Sequence, residues 1–260
     1  MLYFNLMIGR TMKIINKLVL MIVIFTTVNL FGISSYPDWF LFPGNYPNTI
    51  VGYSYGGYSA VIDAERNYCV YNKCIANGTL YRFQNYDKKN SEYFYYFSPD
   101  SLEKIKDRLH VVYSFLTNVI NSEYIKLFSI KDSIEIIPKF VNLKNSLIPK
   151  WIKKKPFYHD KYYYYGIGEY QSRSSENDAW KTAEEQAIFE IMTNLAINFY
   201  SVNILDVTEK DDNYEKATAI KVKYKFNNIQ IQKRWVDLNK HYYYVLIRIK
   251  KEDVFSPFMN

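Results

Sequence analysis

The clearest alternation of apolar and polar residues lies near the C-terminal end of the chain. Residues 220–226 carry an apolar side chain at every second position with Lys between them, which is the pattern of a half-buried strand. The segment continues through Ile229, Ile231, Trp235 and Val236. A polar turn at 237–240 and the apolar run 242–250 follow, so we predict a hairpin. Upstream, residues 161–170 are typical of a tyrosine-rich strand that ends in a glycine-containing bend.

A helix is predicted after this first strand, over residues 176–199. Ser175 and Asp178 form the S-x-x-D pattern of a capping box at its start. The alanines at 179, 183 and 187 recur every four residues and make a narrow stripe, which lets a helix lie close to a sheet. Glu184 interrupts the apolar pattern. The second half of the chain therefore predicts a strand, a helix and two strands.

The first half repeats this order less cleanly. Residues 49–58 predict a strand with glycines at 52, 56 and 57, where a bend or bulge is expected. Ala60 and Ala64 open a helix that we expect to stop near Asn77-Gly78. The two strands that complete the order are predicted at 79–86 and 92–97.

A second similarity between the halves precedes the first strand of each. Pro37-Asp38-Trp39 stands before one and Pro149-Lys150-Trp151 before the other. This repetition predicts a degenerate internal repeat. Between the halves, a helix is expected over residues 99–119 and a strand pair over 127–141.

An export signal is predicted at residues 1–34. Lys13 and Lys17 precede an apolar run at 18–31, and small residues follow at Gly32 and Ser34. The run is shorter than a membrane-spanning helix requires. We expect translation to start at Met12 and the segment to be cleaved, with a retained anchor as the alternative.

Composition limits the class of protein further. The 260 residues are 48% hydrophobic with a net charge of +7, which excludes both a disordered chain and a protein of many membrane spans. The chain is rich in strand-forming aromatic residues, with 27 Tyr and 17 Phe. Lysines are spread along it, and an exported protein does not meet chromosomal DNA, so no nucleic-acid partner is expected.

The residues that most often carry chemistry do not form a recognisable motif. His110 is expected on a helix, and His159-Asp160 and His241 beside tyrosine-rich strands, without the further ligands that a metal site needs. Cys69 and Cys74 are spaced so that a disulfide would require the helix to break near Asn72, and both the bridged and the free state stay open. We therefore predict no enzyme, no catalytic residues, no cofactor and no metal.

Two tyrosine clusters, at 162–165 and 242–244, are the remaining candidate site. Because side chains alternate along a strand, each cluster places rings on both faces of its strand. One face is expected to pack under the helix. The other face either forms a protein interface or covers the sheet, and the sequence favours neither.

Several of these segments together resemble the LPP20 family of bacterial envelope proteins. The resemblance covers about residues 149–253, while the first half matches only through its Pro-x-Trp, Val51-Gly52 and the alanines at 60 and 64. The matching segments of the second half are Pro149-x-Trp151, Tyr165-Gly166-Ile167-Gly168, the alanine stripe, Arg234-Trp235-Val236-Asp237 and residues 244–248.

The resemblance implies an α+β protein with two tandem strand-helix-strand-strand (SHS2-like) modules, each an antiparallel-rich sheet packed on a helix. These modules are expected at 36–98 and 149–253, joined by a helix-bearing connector at 99–148.

The implied function is a non-catalytic structural protein of the periplasm near the outer membrane, in the flagellar basal disk. Its expected partners are further copies of itself, an FlgP-like lipoprotein of the same family, or both, in an oligomeric assembly. No lipidated cysteine is present near the predicted cleavage point, so membrane association is expected to be indirect. The alternative is an envelope binding module for peptidoglycan or a partner lipoprotein.

Overall fold

The computed structural model describes residues 34–83, 86–118, 121–130, 135–144, 146–201 and 218–255. The predicted export signal lies outside these residues except for Ser34. Within the described part of the chain, no helix is long and apolar enough to cross a membrane. Residues from Tyr36 onward form one compact unit of α+β structure with antiparallel sheets.

The elements are numbered in chain order. The α-helices are α1 (Asp38–Leu41), α2 (Ala60–Asn72), α3 (Pro99–Ile105) and α4 (Glu176–Ser201). The strands are β1 (Ser35–Pro37), β2 (Thr49–Tyr53), β3 (Lys73–Phe83), β4 (Tyr86–Tyr96), β5 (His110–Asn118), β6 (Glu123–Ser129), β7 (Phe140–Asn142), β8 (Phe157–His159), β9 (Tyr163–Gln171), β10 (Thr218–Asn227), β11 (Gln230–Asp237), β12 (Tyr242–Lys250) and β13 (Val254–Phe255). Short 3₁₀ turns occur at Pro43–Asn45, Lys150–Lys153 and Lys251–Asp253.

One sheet has the antiparallel order β11-β12-β9-β8, with α4 lying across it. The predicted hairpin is confirmed as β11 and β12. The helix approaches closely because glycine removes the side chain beneath it: a Cβ on Gly168 would lie 1.9 Å from the Ala183 carbonyl oxygen. A Cβ on Gly166 would meet the Ala187 carbonyl oxygen at 2.0 Å. The alanine stripe thus faces the sheet, as predicted.

The same contact occurs between α2 and a second sheet, whose order is β2-β6-β5. A Cβ on Gly52 would lie 2.0 Å from the Ala60 carbonyl oxygen and 2.8 Å from the Ala64 side chain. Strands β5 and β6 belong to the 99–148 segment, so the sheet under α2 draws its last two strands from that segment. The predicted strand pair at 127–141 is observed only in part, as the end of β6 and β7.

The strand after each of these two helices joins a third sheet, of order β13-β10-β3-β4. Here β10 pairs antiparallel with β3, with Tyr224 opposite Ala76. The alternating segment is therefore a strand as predicted, but its partner is the first half of the chain, and no pairing with the hairpin that follows it is found in the described residues. Gly78 in β3 lies under α4, where an added Cβ would reach Met192 at 2.6 Å.

The prediction of a helix over 99–119 is wrong beyond Ile105. The chain turns at Asp107, which has a φ of 57°, and continues as β5. His110 accordingly begins a strand and does not lie on a helix. The apolar residues of this segment fit a helical spacing, but Val, Tyr, Phe and Thr dominate it and favour a strand. Helix α2 likewise ends at Asn72, five residues before the expected stop, because β3 begins at once.

Helix α4 has a second packing face, toward α2 and β2. The Asn177 amide donates to the carbonyl oxygens of Ser54 (2.7 Å) and Tyr124 (3.1 Å), and the Lys181 ammonium lies 3.1 Å from the Asp63 carboxylate. The helix therefore contacts elements from both halves of the chain. These contacts explain why the two halves form one compact unit.

We expect Gly168→Ala to lower the free energy of unfolding by at least about 2 kcal/mol, because the new methyl group overlaps the backbone of α4. Urea denaturation measures this change. Gly44→Ala is the matched control, since its Cβ would meet only the flexible Gln232 side chain at 3.5 Å. Equal stability of the two variants would contradict the close approach of α4 to β9.

Candidate functional site

A buried ion pair lies where α4, α2, β2 and β11 meet. The Arg234 guanidinium donates to the Glu184 carboxylate through Nη2 at 2.6 Å and Nε at 3.0 Å. The hydroxyls of Tyr53 and Tyr71 also donate to this carboxylate, the latter at 2.5 Å. The remaining guanidinium nitrogen donates to the Phe40 carbonyl at 2.6 Å, and the guanidinium lies 4.5 Å from the Phe40 ring.

Glu184, which interrupts the apolar pattern of the helix, is 1% exposed. At about 100° per residue, positions 177, 181 and 184 form a second stripe, roughly 125° around the helix from the alanine stripe. All three carry polar side chains, and all three are buried. The spacing of these polar residues could be recognised in the sequence. The pairing of Glu184 with Arg234 could not.

The polar contacts of this region continue from α4 to α2. Lys181 binds both the Asp63 carboxylate and the Asn67 side-chain oxygen. Asp63 also accepts the backbone N–H of Tyr53 at 3.0 Å, and the Asn67 amide donates to the Val51 carbonyl at 2.9 Å. Because these groups satisfy one another, they fix α2 and α4 against β2.

On the side of Lys181 and Glu185, this arrangement leaves no room for a substrate. The cavity beside Lys181, Glu184 and Glu185 has a volume of about 10 Å³, which is about the space that one water molecule requires. The guanidinium stays charged at every physiological pH and cannot exchange a proton. The ion pair therefore acts as a packing contact between elements.

The face of the β11-β12-β9-β8 sheet that points away from α4 carries a cluster of rings and cations at one corner. We call it the aromatic–basic surface and define it as Lys154, Tyr158, Tyr163, Tyr165 and Arg248. The Tyr158 and Tyr165 rings stack at 4.7 Å with an interplanar angle of 6°. Lys154 Nζ lies 4.3 Å from the Tyr158 ring, and the Arg248 guanidinium lies 4.5 Å from the Tyr163 ring.

Asp160 holds this corner in shape. Its Oδ1 accepts the backbone N–H groups of Tyr162 and Tyr163, and its Oδ2 accepts the Tyr165 hydroxyl, each at 2.7 Å. The Tyr165 hydroxyl and these backbone donors lower the pKa of Asp160. The His159 ring contacts the backbone oxygen of Asp160 at 3.4 Å, and among the described residues its side chain makes no hydrogen bond to the Asp160 carboxylate.

Further along the same face, the chain covers the sheet. Trp235 donates from its indole nitrogen to the Ser146 hydroxyl at 3.0 Å, and Trp235 and Leu246 are buried. The face away from α4 is thus covered at Trp235 and Leu246 and open at the aromatic–basic surface, and whether the open part forms an interface stays a prediction. Tyr162 is 63% exposed at the open corner, whereas Tyr243 is buried on the opposite face of the sheet, against Trp180 of α4.

A groove of about 550 Å³ opens beside this corner. It lies between β2 and β11, which are both edge strands of their sheets. One wall is the loop that begins with the 3₁₀ turn Pro43–Asn45, and the other is the last turn of α2. The segments that line the groove are far apart in the sequence, so no sequence motif predicted it.

The other residues singled out from the sequence lie apart from both surfaces. Cys69 and Cys74 are free, and burial raises the pKa of the Cys74 thiol to about 12. Gly56 and Gly57 form a tight turn with φ values of 53° and 87°. His241 occupies the turn before β12. Among the described residues, no group of three or more His, Cys, Asp or Glu side chains is arranged to hold a metal ion.

No family model, curated protein or solved structure matches the chain. The resemblance to the LPP20 family therefore stays a prediction that depends on the segments quoted above. Any functional conclusion has to come from the surfaces of the molecule themselves.

We expect Arg234→Met to lower the free energy of unfolding by about 3–5 kcal/mol, because it leaves the Glu184 carboxylate buried without its cation. In a Glu184→Met background the same change should cost at least about 1 kcal/mol less. Urea denaturation of the four proteins of this cycle provides the test. Additive effects would show that the two side chains do not stabilise one another.

A pH dependence is expected from Glu176 at the start of α4, which accepts the Tyr36 hydroxyl at 2.6 Å. Burial raises the pKa of Glu176 to about 7, well above the value of about 4.3 for an unfolded chain. The folded state thus retains a proton that the unfolded state has lost, so stability falls as the pH rises from about 4.5 to 7.

Glu176→Gln should remove this contribution and flatten the stability profile between those pH values. Thermal unfolding of both proteins across the range measures the effect. Parallel profiles for the wild type and the variant would rule out a raised pKa at this position.

Proposed function

We propose that this protein is a non-catalytic, exported structural protein that assembles in the periplasm near the outer membrane, as a component of the flagellar basal disk. The observation that carries the structural part of the proposal is the aromatic–basic surface. Its rings are partly exposed, stacked on one another and flanked by cations at the open corner of a sheet.

Such a surface suits contact with another protein. Tyrosine and arginine are enriched at interfaces, since they bury a large area and keep a polar end for hydrogen bonding. Stacking between Tyr158 and Tyr165 fixes both rings before any partner arrives. Less side-chain entropy is then lost on association.

The proposal includes two tandem SHS2-like modules. Two observations support it: the strand orders β5-β6-β2 and β11-β12-β9 correspond element by element, and in each case an alanine-lined helix lies on a glycine of the last strand in that order. Tandem modules without a lipidated cysteine look most like the flagellar basal-disk protein FlgQ. The partner would then be a second copy of the chain, an FlgP-like lipoprotein, or both.

Replacing Tyr158 and Tyr165 by Ala should convert an assembled form of the protein to monomer, because the stacked pair is lost. Size-exclusion chromatography with light scattering measures the mass. Lys154→Glu is a second variant that keeps both rings and should also weaken assembly. Tyr58→Ala is the matched control, since Tyr58 is 58% exposed at a distant turn. If the wild type is monomeric both alone and when mixed with the FlgP-like lipoprotein, the proposed assembly is wrong.

The flagellar part has its own test. Deleting the gene should alter the basal disk in cryo-tomograms and reduce motility. Motile cells with unchanged disks would contradict the flagellar assignment, whatever the light-scattering experiment gives.

The groove between β2 and β11 favours a second candidate function, an envelope binding module for peptidoglycan or a partner lipoprotein. Its volume of about 550 Å³ lies within the range of ligand sites. A binding module of this kind stays monomeric in solution, so light scattering separates the two candidates.

A further inference from the structure

The groove presents polar side chains of a particular kind. Asn, Gln and Tyr dominate its polar lining, and no carboxylate is found among the described residues that line it. Its two arginines are Arg234, which is neutralised by Glu184, and Arg248, whose Nε donates to the Gln230 amide oxygen at 2.8 Å. The groove therefore offers many neutral hydrogen-bonding groups, and among the described residues that line it Arg248 is the one cation without a carboxylate partner.

Some of these groups are available to a ligand. Within the described part of the chain, the Gln232 amide and the Tyr68 hydroxyl make no hydrogen bond to the protein, and both line the groove. The terminal nitrogens of Arg248 point to no described acceptor either. An amide supplies both donors and acceptors, and a tyrosine adds an apolar ring face.

An extended peptide fits this groove poorly, although two edge strands border it. The β11 edge carries a bulge between Ile231 and Lys233, which interrupts the ladder that an added strand would need. On the β2 edge, the Val51 carbonyl and the Tyr53 N–H are already bonded to side chains of α2. Recognition has to come from side chains.

We propose that the groove binds a neutral glycan chain, with Gln232 and Arg248 hydrogen-bonding to hydroxyl or acetamido groups and Tyr68 packing against a sugar ring. Hydroxyl-rich ligands match uncharged donors and acceptors, and the C–H faces of a sugar match a tyrosine ring. The inference deepens and rests on the second candidate function above, and it does not involve the Tyr158 and Tyr165 rings of the aromatic–basic surface.

Isothermal titration calorimetry of the purified protein with N-acetylglucosamine trimer, cellotriose and maltotriose tests the proposal. We expect saturable binding of at least one trisaccharide at one site per chain. Gln232→Ala and Tyr68→Ala should each weaken binding about tenfold, the usual cost of one lost polar contact or ring contact.

Two matched controls keep the result specific. Lys233→Ala alters the exposed neighbour of Gln232 outside the groove, and Tyr58→Ala removes a tyrosine elsewhere; both should bind as the wild type does. The Tyr158 and Tyr165 variants should also retain glycan binding, which separates failure of this inference from failure of assembly. Circular dichroism confirms that each variant is folded.

The inference is overturned if the wild type binds none of the three trisaccharides. It is equally overturned if folded Gln232→Ala and Tyr68→Ala variants bind with unchanged affinity, since the ligand then lies elsewhere. Binding of an extended peptide at the β11 edge in place of a sugar would assign the groove to a different class of ligand.

Discussion

The buried pair of Glu184 and Arg234 joins the two halves of this protein through its hydrogen bonds to Tyr53, Tyr71 and Phe40. A buried ion pair adds little net stability, because both charges lose their hydration, but leaving one partner alone is very costly. An arrangement that separates the two partners is therefore strongly disfavoured. Here the carboxylate comes from α4 and the guanidinium from β11, while hydroxyls from β2 and α2 complete the shell. A shift of α4 relative to β11 would expose the charged groups or leave them buried without a partner.

Helix α4 can serve both halves because its two long faces differ in chemistry. Alanine on one face allows α4 to lie close to the glycines of β9. The contact between the helix and the sheet on this face is a van der Waals contact. Polar residues on the other face form specific hydrogen bonds with α2, β2 and β6. The steric face fixes the distance from the sheet, and the polar face fixes the position along the helix axis. Together they place β11 and β2 on either side of the groove.

The local parts of this fold could be predicted from the sequence, and the long-range parts could not. The β11–β12 hairpin and the alanine stripe depend on residues close together in the chain, whose periodicity reports burial directly. A helix was wrongly predicted for the second part of the segment 99–119, because its apolar residues have helical spacing. Many of these residues are also β-branched or aromatic, and pairing with β6 stabilises them as a strand. The pairing of β10 with β3 joins residues about 150 apart, a choice that no local pattern encodes. The tyrosine clusters were identified as a candidate site, but the groove and Arg234 depend on tertiary contacts alone.

The two surfaces of functional interest share one side chain, and that fact constrains how they work. Arg248 stacks on Tyr163 of the aromatic–basic surface and, through Gln230, borders the groove. Its guanidinium is therefore held by a ring on one side and an amide on the other before any ligand or partner binds. Both surfaces are built on strands of one sheet, whose spacing from α2 and β2 is set by the buried ion pair. A site held this way needs little rearrangement on binding. If both proposals hold, occupation of the groove and contact through the rings would therefore involve the same guanidinium, which Tyr163 and Gln230 already hold in place.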